Sequence, residues 1–304
     1  MPKPHFENPK HEAEFLRHLE RRRTPLKFAF AGSATATHLQ LAESEGYQSV
    51  VLSVEDEFAA LTRLAADLIP PATIVEAGPG DGRHTITLLQ RYMQQWAVEN
   101  YLGLDFSEQL LQHFGSKFRT HFPGISMASA IWDFETGPTS RVEEWRRDDR
   151  VLALMVGHTV GNPEAPGIVL KNLRHSLRRK DFLLLSVVLT PSAEETVDSI
   201  LQPYRTRVFE NAALEPLRAS GLPDDGAYFE VTWDGSAVIG KAILERPATM
   251  LGLDLEAGTE IECFRSYRFR ETDVQDLLRS SGWSPLIISA RRTSEHTAII
   301  AEAR

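Results

Sequence analysis

The stretch "IVEAGPGDGRHTITLL", residues Ile74–Leu89, indicates the architecture of this chain. It begins with β-branched, apolar residues typical of a buried strand. Three glycines then fall within five positions, and apolar residues at helical spacing follow. A strand that leads through a glycine-rich turn into a helix is the start of a βαβ unit in an open α/β sheet.

The same alternation continues downstream. Further strands are predicted in "NYLGLDFS", "ISMASAIWDFE", "RVLALMVGHTVGN" and "KDFLLLSVVLT", separated by helices such as "EQLLQHFGSKFRTHF" and "APGIVLKNLRHSL". Strands that alternate with helices at this spacing form a parallel sheet with helices on both faces. The last segment, "PLIISARRTSEHTAIIAEA", predicts a terminal antiparallel hairpin. We therefore expect an α/β fold with a Rossmann-like, seven-stranded sheet.

The pattern of predicted helices and strands differs at the beginning of the chain and after Pro191. Helical periodicity dominates residues 1–70, which we interpret as a helical lid region. Residues 191–260 mix a helical segment with strand-like segments and read as an α+β insertion on the substrate side. The sheet domain is then expected to comprise residues 71–190 and 261–304.

Composition excludes several classes of protein. The formal net charge is −9 and the isoelectric point about 5.6, which argues against a nucleic-acid-binding surface. No apolar run is long enough to span a bilayer, and the N-terminal residues show no signal-peptide core. Cys263 is the single cysteine, and the histidines show no compact metal-ligand spacing. We expect a cytoplasmic protein with a small-molecule substrate, no metal, no membrane and no nucleic acid; the sequence does not indicate an oligomeric state.

The glycine loop and its acids narrow the choice of cofactor. The spacing is Gly78-x-Gly80-x-Gly82, with Glu76 at the strand end and Asp81 inside the loop. A dinucleotide site prefers G-x-G-x-x-G, and two carboxylates would repel a pyrophosphate. S-adenosylmethionine (SAM) instead carries a sulfonium and an ammonium group, and carboxylates attract these positive charges. The loop therefore favours SAM.

Acids after the next strands support the same cofactor. Asp105 ends "YLGLD", where a carboxylate can accept hydrogen bonds from both ribose hydroxyls. Asp133 in "IWDFE" is placed to meet the adenine amino group, with Trp132 or Phe134 against the ring. This order predicts the class I SAM-dependent methyltransferase fold. The remaining predicted cofactor-binding residues are Phe106 and Gly157.

The segments "VEAGPGDGRHT", "GLDFS", "VGHTVGNPE" and "FRSYRF" together resemble the histidine Nα-methyltransferases of ergothioneine biosynthesis. The resemblance extends to "KFAFAGSATATHLQLAESEGYQSV". It implies that Asn162, Tyr204 and Ser266 hold the amino-acid end of a substrate, with Tyr47 as a lid contact. An amide and hydroxyls can bind both an amine and a carboxylate without adding charge.

One position departs from that family. The histidine-specific relatives carry an acid, facing the imidazole, two residues before the serine, and Phe264 stands there in this chain. An aromatic side chain cannot pair with a charged or hydrogen-bonding ring. Histidine is therefore not the expected substrate, and ergothioneine synthesis is not the expected pathway.

Two reactions use such a pocket, and the residues leave both open. In the leading interpretation, the α-amine of SAM attacks its own γ-carbon and forms azetidine-2-carboxylate, as in the azetidine-forming SAM cyclases; 5′-methylthioadenosine leaves. In the alternative, a separate apolar or aromatic amino acid is N-methylated and S-adenosylhomocysteine (SAH) is released. A SAM-binding regulatory protein without activity is a third interpretation.

Overall fold

A computed structural model gives the structure of the chain and describes residues 6–51, 53–146, 150–191, 196–290 and 295–304. Its α-helices are α1 Pro9–Leu19, α2 Ala34–Ala42, α3 Glu45–Val51, α4 Val54–Ala65, α5 Arg83–Tyr92, α6 Glu108–His121, α7 Arg141–Trp145, α8 Pro166–His175, α9 Val197–Leu201, α10 Arg207–Ala219 and α11 Glu271–Ser280. Its strands are β1 Thr73–Ala77, β2 Asn100–Asp105, β3 Ser126–Ile131, β4 Val151–Met155, β5 Phe182–Val188, β6 Ala227–Trp233, β7 Ala237–Leu244, β8 Ala248–Met250, β9 Leu253–Leu255, β10 Glu260–Tyr267, β11 Trp283–Ala290 and β12 His296–Ala303.

The chain divides into two units, each formed by separate segments. The α/β unit comprises Val51–Gly161, Ala165–Thr190 and Arg268–Arg304. The mixed unit comprises Met1–Val50, Asn162–Glu164 and Pro191–Tyr267.

The α/β unit contains the predicted sheet. Among the described residues, its strands form a seven-stranded sheet in the order β11-β12-β5-β4-β1-β2-β3. Strands β1 to β5 pair in parallel, whereas β12 pairs antiparallel with both β5 and β11. The expected terminal hairpin is therefore confirmed. Strand order reverses at β1, which lies between β2 and β4, and the carboxyl ends of strands at such a point are where α/β sheets bind ligands.

Burial explains why these strands were recognisable. Every residue of β1, β2, β4 and β5 is buried. A strand covered on both faces needs apolar residues at nearly every position. The short β-branched and leucine-rich segments of this sequence provide them. Strand β3 lies at the edge of the sheet, and its residues are exposed or half-buried.

The mixed unit has its own antiparallel sheet. Strands β10, β7 and β6 pair in that order, and β8 pairs with β9. Helix α10 packs against α2 and against β10.

The division differs from the predicted domain ranges at two points. Strand β10 pairs with β7, so the insertion extends to Tyr267 rather than residue 260. Helix α4 packs on β11 and β12 of the α/β unit rather than belonging to the N-terminal helical region. Both differences arise from pairing between distant segments, which local periodicity does not encode. In the part of the chain that the structure describes, no helix is long and apolar enough to cross a membrane.

Candidate functional site

The glycine loop follows β1 in a conformation that glycine adopts readily. Gly78, Gly80 and Gly82 have φ angles of 76°, 56° and 81°, in the left-handed region. A Cβ built on Gly82 would lie 2.3 Å from Cδ2 of Phe114, so this glycine allows α5 to approach α6 closely. A Cβ on Gly80 would meet no atom within 4 Å. The loop is thus packed at Gly82 and open at Gly80, where a ligand can approach the backbone.

Glu76 at the end of β1 and Asp81 in the loop are both engaged within the protein, which corrects part of the argument from charge. Glu76 is 1% exposed, and its oxygens accept hydrogen bonds from Thr85 at 2.9 Å and Tyr101 at 2.5 Å. Burial raises the pKa of Glu76 to about 7, so this carboxyl is not a fixed negative charge. Asp81 pairs with Arg83 at 2.7 Å and Lys117 at 3.6 Å. Neither acid supplies the unpaired carboxylate that the sequence argument assumed.

The predicted ribose and adenine residues lie together at the carboxyl edge of β2 and β3. The backbone N–H of Trp132 donates to the carbonyl oxygen of Asp105 over 2.8 Å, which joins the two strand ends. Oδ1 of the buried Asp105 accepts from the N–H of Ser107 at 3.0 Å, which orients its carboxylate. The Trp132 indole donates to Gly137 O at 2.8 Å, and its ring lies 5.8 Å from Phe134 at 78°.

The other two predicted residues of this group lie beside them. Oδ1 of Asp133 accepts from the N–H of Glu135 at 3.0 Å, so its carboxylate is also oriented by the turn. Phe106 is 4% exposed and directly follows Asp105. The structure therefore brings the predicted ribose and adenine residues to one edge of the sheet.

The loop after β4 is held in an unusual backbone conformation. Gly157 and His158 have φ angles of 63° and 67°, and a left-handed histidine is uncommon. Nδ1 of His158 accepts from the N–H of Val188 at 3.0 Å. A Cβ on Gly161 would lie 2.2 Å from the His158 ring, so glycine is required there. This packing explains the glycines of the "GHTVG" pattern, which forms a tightly packed loop at the carboxyl end of β4.

In the mixed unit, the structure brings together three predicted substrate residues. Ser266 and Phe264 lie two positions apart on β10 and so share one face of the strand. Tyr204 Oη lies 3.4 Å from Ser266 Oγ, and its ring is stacked on Phe264 with centroids 5.7 Å apart at 15°. Each of these side chains is less than 5% exposed. The result is a buried pair of uncharged hydroxyls beside an aromatic wall.

The remaining two predicted residues belong to the same unit. Asn162 is half-buried in the short segment Asn162–Glu164, which is anchored by the ion pair of Glu164 with Arg23. Tyr267 Oη also donates to Glu164 O at 3.3 Å. Tyr47 is half-buried, and its ring contacts that of His38 with centroids 5.8 Å apart. Thus every predicted amino-acid-binding residue falls in the mixed unit.

Sequence reasoning missed a buried carboxylate in the α/β unit. Glu57 on α4 has no exposed surface and binds His84 Nε2 at 2.7 Å. In the sequence, Glu57 is one of several acids in "SVEDEF" and is indistinguishable from a solvated residue at a helix start. Its burial depends on the packing of α4 against the sheet.

The glycine loop and the polar side chains near it in the α/β unit fit SAM. The open space at Gly80 admits a ligand next to the loop backbone, and Asp105 is oriented at the strand end. His84 Nδ1 is buried and has no hydrogen-bond partner among the residues that the structure describes. That nitrogen can hydrogen-bond a polar group of a ligand. A mixed sheet with this strand order, glycine loop and edge acids defines the class I SAM-dependent methyltransferase fold.

Comparison with known families agrees with this class. The model of a family described as "Histidine-specific methyltransferase, SAM-dependent" matches residues 53–206, which is half of the chain. The chain belongs to this family, and SAM is its cofactor. No curated protein matches the chain in sequence.

Solved structures with similar folds are distant in sequence. One is a SAM-dependent methyltransferase from Clostridium acetobutylicum, with 11% identity, a TM-score of 0.48, and coverage of 88% of this chain and 96% of that one. Another is magnesium protoporphyrin IX methyltransferase from Synechocystis with bound SAH, with 15% identity, a TM-score of 0.47, and coverage of 92% and 98%. A third is the CcbJ methyltransferase from Streptomyces caelestis, with 14% identity, a TM-score of 0.46, and coverage of 88% and 96%.

Proposed function

We propose that the protein transfers a methyl group from SAM to the α-amine of an amino acid whose side chain is apolar or aromatic. The observation that carries this proposal is the Tyr204–Ser266 hydroxyl pair beside the stacked ring of Phe264. The hydroxyls suit an amino-acid head group, and the ring suits an apolar side chain. Membership of a methyltransferase family favours methyl transfer over the cyclisation that the sequence alone put first.

The role of the protein in this reaction is to bind and orient a neutral amine. SAM supplies an electrophilic methyl group on its sulfonium sulfur. A new N–C bond forms while the S–C bond breaks, and the amine loses a proton. Uncharged partners such as Tyr204, Ser266 and Asn162 can accept hydrogen bonds from the amine without stabilising its protonated form, as a carboxylate would. Excluding water removes competing hydrogen bonds from the nucleophile.

Phe264 is the basis for the expected substrate class. Its side chain is 2% exposed, and the rings of Phe209 and Phe229 lie 5.0 Å and 6.1 Å from it. The neighbours that surround Phe264 here are aromatic rings, so a protonated imidazole placed against Phe264 would lose its water without gaining a charged partner from it. We therefore expect histidine to be a poor substrate, although the family is described as histidine-specific.

The same cluster also supports cyclisation as a second candidate. Aromatic side chains fill the position at which a substrate side chain would be recognised. Such a pocket does not bind the side chain of a separate substrate. It is therefore compatible with the methionine portion of SAM as the only amino acid bound. The α-amine would then attack the γ-carbon, the C–S bond would break, and 5′-methylthioadenosine would leave with azetidine-2-carboxylate as the other product.

One experiment separates these reactions. The purified protein is incubated with SAM alone and with SAM plus each common amino acid, and nucleoside products are quantified by liquid chromatography and mass spectrometry. SAH formed only with apolar or aromatic amino acids would support the methyltransferase proposal. Release of 5′-methylthioadenosine from SAM alone, with a matching azetidine-2-carboxylate peak, would support cyclisation instead.

The controls use residues of each unit. Asp105→Asn should weaken SAM use in either reaction, whereas Ser266→Ala should weaken use of the amino acid. SAH formation that is fastest with histidine would contradict the expected substrate class. If neither nucleoside product forms above the uncatalysed background, both reactions are contradicted.

A further inference from the structure

The buried carboxylate of Glu57 joins parts of the α/β unit that are distant in sequence. Its Oε1 accepts from the hydroxyl of Ser53 at 2.6 Å, and its Oε2 lies 2.7 Å from Nε2 of His84. The hydroxyl of Ser186, a fully buried residue of β5, lies close enough to lower the pKa of Glu57 as a hydrogen-bond donor. A carboxylate with no exposed surface is thus surrounded by three donors.

Two of these donors lead directly to loops of the SAM site. His84 is the second residue of α5 and follows Gly82 of the glycine loop by two positions. Ser186 Oγ accepts a hydrogen bond from the backbone N–H of Gly157 at 3.0 Å. Gly157 belongs to the loop after β4 and has a φ angle of 63°. A chain of polar contacts therefore runs from the start of α5 through Glu57 and Ser186 to the loop after β4.

The charges in this network depend on each other. The His84 imidazole holds the pKa of Glu57 below its ordinary value, and Glu57 holds the pKa of His84 above its ordinary value, in both cases against desolvation by burial. Glu76 and Asp81 also favour the charged form of His84. Removing one partner of a buried ion pair leaves an uncompensated charge, so the local structure must rearrange.

We propose that Glu57 is a positioning residue of the SAM site, which holds the start of α5 and the loop after β4 in the geometry that binds the cofactor. Glu57 acts through His84 and Ser186. The proposal rests on the assignment of these two loops to SAM, and it does not depend on which reaction follows.

The test measures cofactor binding rather than turnover. SAH affinity is determined by isothermal titration calorimetry for the wild type, Glu57→Gln and Ser186→Ala, together with the melting temperature of each ligand-free protein. We expect Glu57→Gln to weaken SAH binding by about tenfold or more, because a hydrogen-bonded charge is lost. Ser186→Ala removes the hydroxyl that lies between Glu57 and Gly157 and should weaken binding by several-fold.

A matched control lies on the same helix. Glu55 is two residues from Glu57, and its side chain is 58% exposed and paired with Arg91. Glu55→Gln should leave SAH affinity unchanged. If Glu57→Gln and Ser186→Ala lower the melting temperature but bind SAH within twofold of the wild type, Glu57 is only structural and the proposal is overturned.

Folding of the variants does not limit the test. Should Glu57→Gln fail to fold, Ser186→Ala decides the matter, because it leaves the Glu57–His84 pair intact. Unchanged SAH affinity in folded Ser186→Ala would then overturn the proposed link to the loop after β4. Because SAH binding needs no acceptor amino acid, these outcomes are independent of the product assay.

Discussion

At the scale of single residues, the hydroxyl pair of Tyr204 and Ser266 gives a direct test of amino-acid binding. We expect Ser266→Ala and Tyr204→Phe each to raise the KM for the acceptor by about tenfold, because a bound polar group loses a partner. The KM for SAM should stay near its wild-type value. Initial rates measured while each substrate is varied will separate the two effects.

The control for this pair is Tyr228→Phe. Tyr228 lies on β6 of the same unit and is half exposed, so its hydroxyl should not matter. An equal rise in both KM values for Ser266→Ala would contradict a specific role in binding the amino acid.

The raised pKa of Glu76 predicts that the stability of the protein depends on pH. Its pKa is raised from 4.5 to about 7 in the folded protein, so between these values the folded state holds a proton that the unfolded state has lost. The stability contributed by this group is fully present below pH 4.5 and is lost as the pH rises through about 7. Each pKa unit corresponds to about 1.4 kcal/mol, so the loss between pH 5 and 8 should be about 2–3 kcal/mol.

Glu76→Gln provides the measurement. The amide cannot ionise, so the free energy of unfolding from urea titrations should fall less steeply between pH 5 and 8 in the variant than in the wild type. His84, whose pKa is also raised, contributes a slope of the same sign in both proteins. Parallel pH profiles for the two proteins would show that Glu76 does not titrate in this range.

The positions of the acids near the cofactor could be predicted from the sequence, but their ionisation and pairing could not. The sequence predicts acids at the ends of β1, β2 and β3, since strand ends are visible in the pattern of apolar residues. It does not reveal that the Tyr101 hydroxyl donates a hydrogen bond to Glu76, or that Arg83 and Lys117 pair with Asp81. Those contacts depend on side-chain directions that a linear pattern does not contain.

At the scale of elements, the glycine loop predicts two different outcomes for the same substitution. Gly82→Ala places a Cβ against Phe114, so it should destabilise the packing of α5 on α6 by about 1–3 kcal/mol or more. Gly80→Ala meets open space and carries only the strain of a left-handed alanine, about 1–2 kcal/mol. Its larger effect should be on SAH binding, because the methyl group lies where the ligand approaches.

Thermal unfolding and SAH calorimetry on both variants check this contrast. Gly124→Ala, where a Cβ also meets no neighbour and the backbone is not left-handed, is the control for a simple glycine-to-alanine change. Unaltered SAH affinity in Gly80→Ala would argue against a ligand next to that position.

Strand β10 shows where prediction from local pattern ends. Its sequence, "EIECFRSY", identifies a strand correctly, yet its partner is β7 of the mixed unit and not a strand of the large sheet. Gly240 of β7 lies opposite Phe264, and a Cβ there would lie 2.0 Å from the Phe264 ring. The pairing thus depends on a glycine and a phenylalanine some two dozen positions apart, which only the folded chain brings together.

At the scale of the whole molecule, cofactor binding should stabilise the protein by mass action. A ligand that binds only the folded state adds about 2.7 kcal/mol at a concentration one hundred times its Kd. We expect the melting temperature to rise steadily with SAH concentration, with the largest gain in hydrogen-exchange protection in the α/β unit around Gly80 and Asp105. A melting temperature that is insensitive to SAH would contradict the assignment of these loops.

The parallel strands of the large sheet were predictable because four of them, β1, β2, β4 and β5, are buried and therefore mostly apolar. The segmentation of the two units was not. Residues 162–164 belong to the mixed unit although both their neighbours along the chain belong to the α/β unit. Local sequence shows elements, whereas membership of a unit is decided by contacts between distant elements.

The segmented mixed unit has a consequence for synthesis on the ribosome. Helix α2 packs against α10, which begins roughly 170 residues later, and translation adds about 5–20 residues per second. The face of α2 that is buried in the finished protein thus waits roughly 10–30 s for its partner. A chain that terminates before α10 leaves that face exposed to water, so truncated products should be poorly soluble even when the α/β strands are largely made.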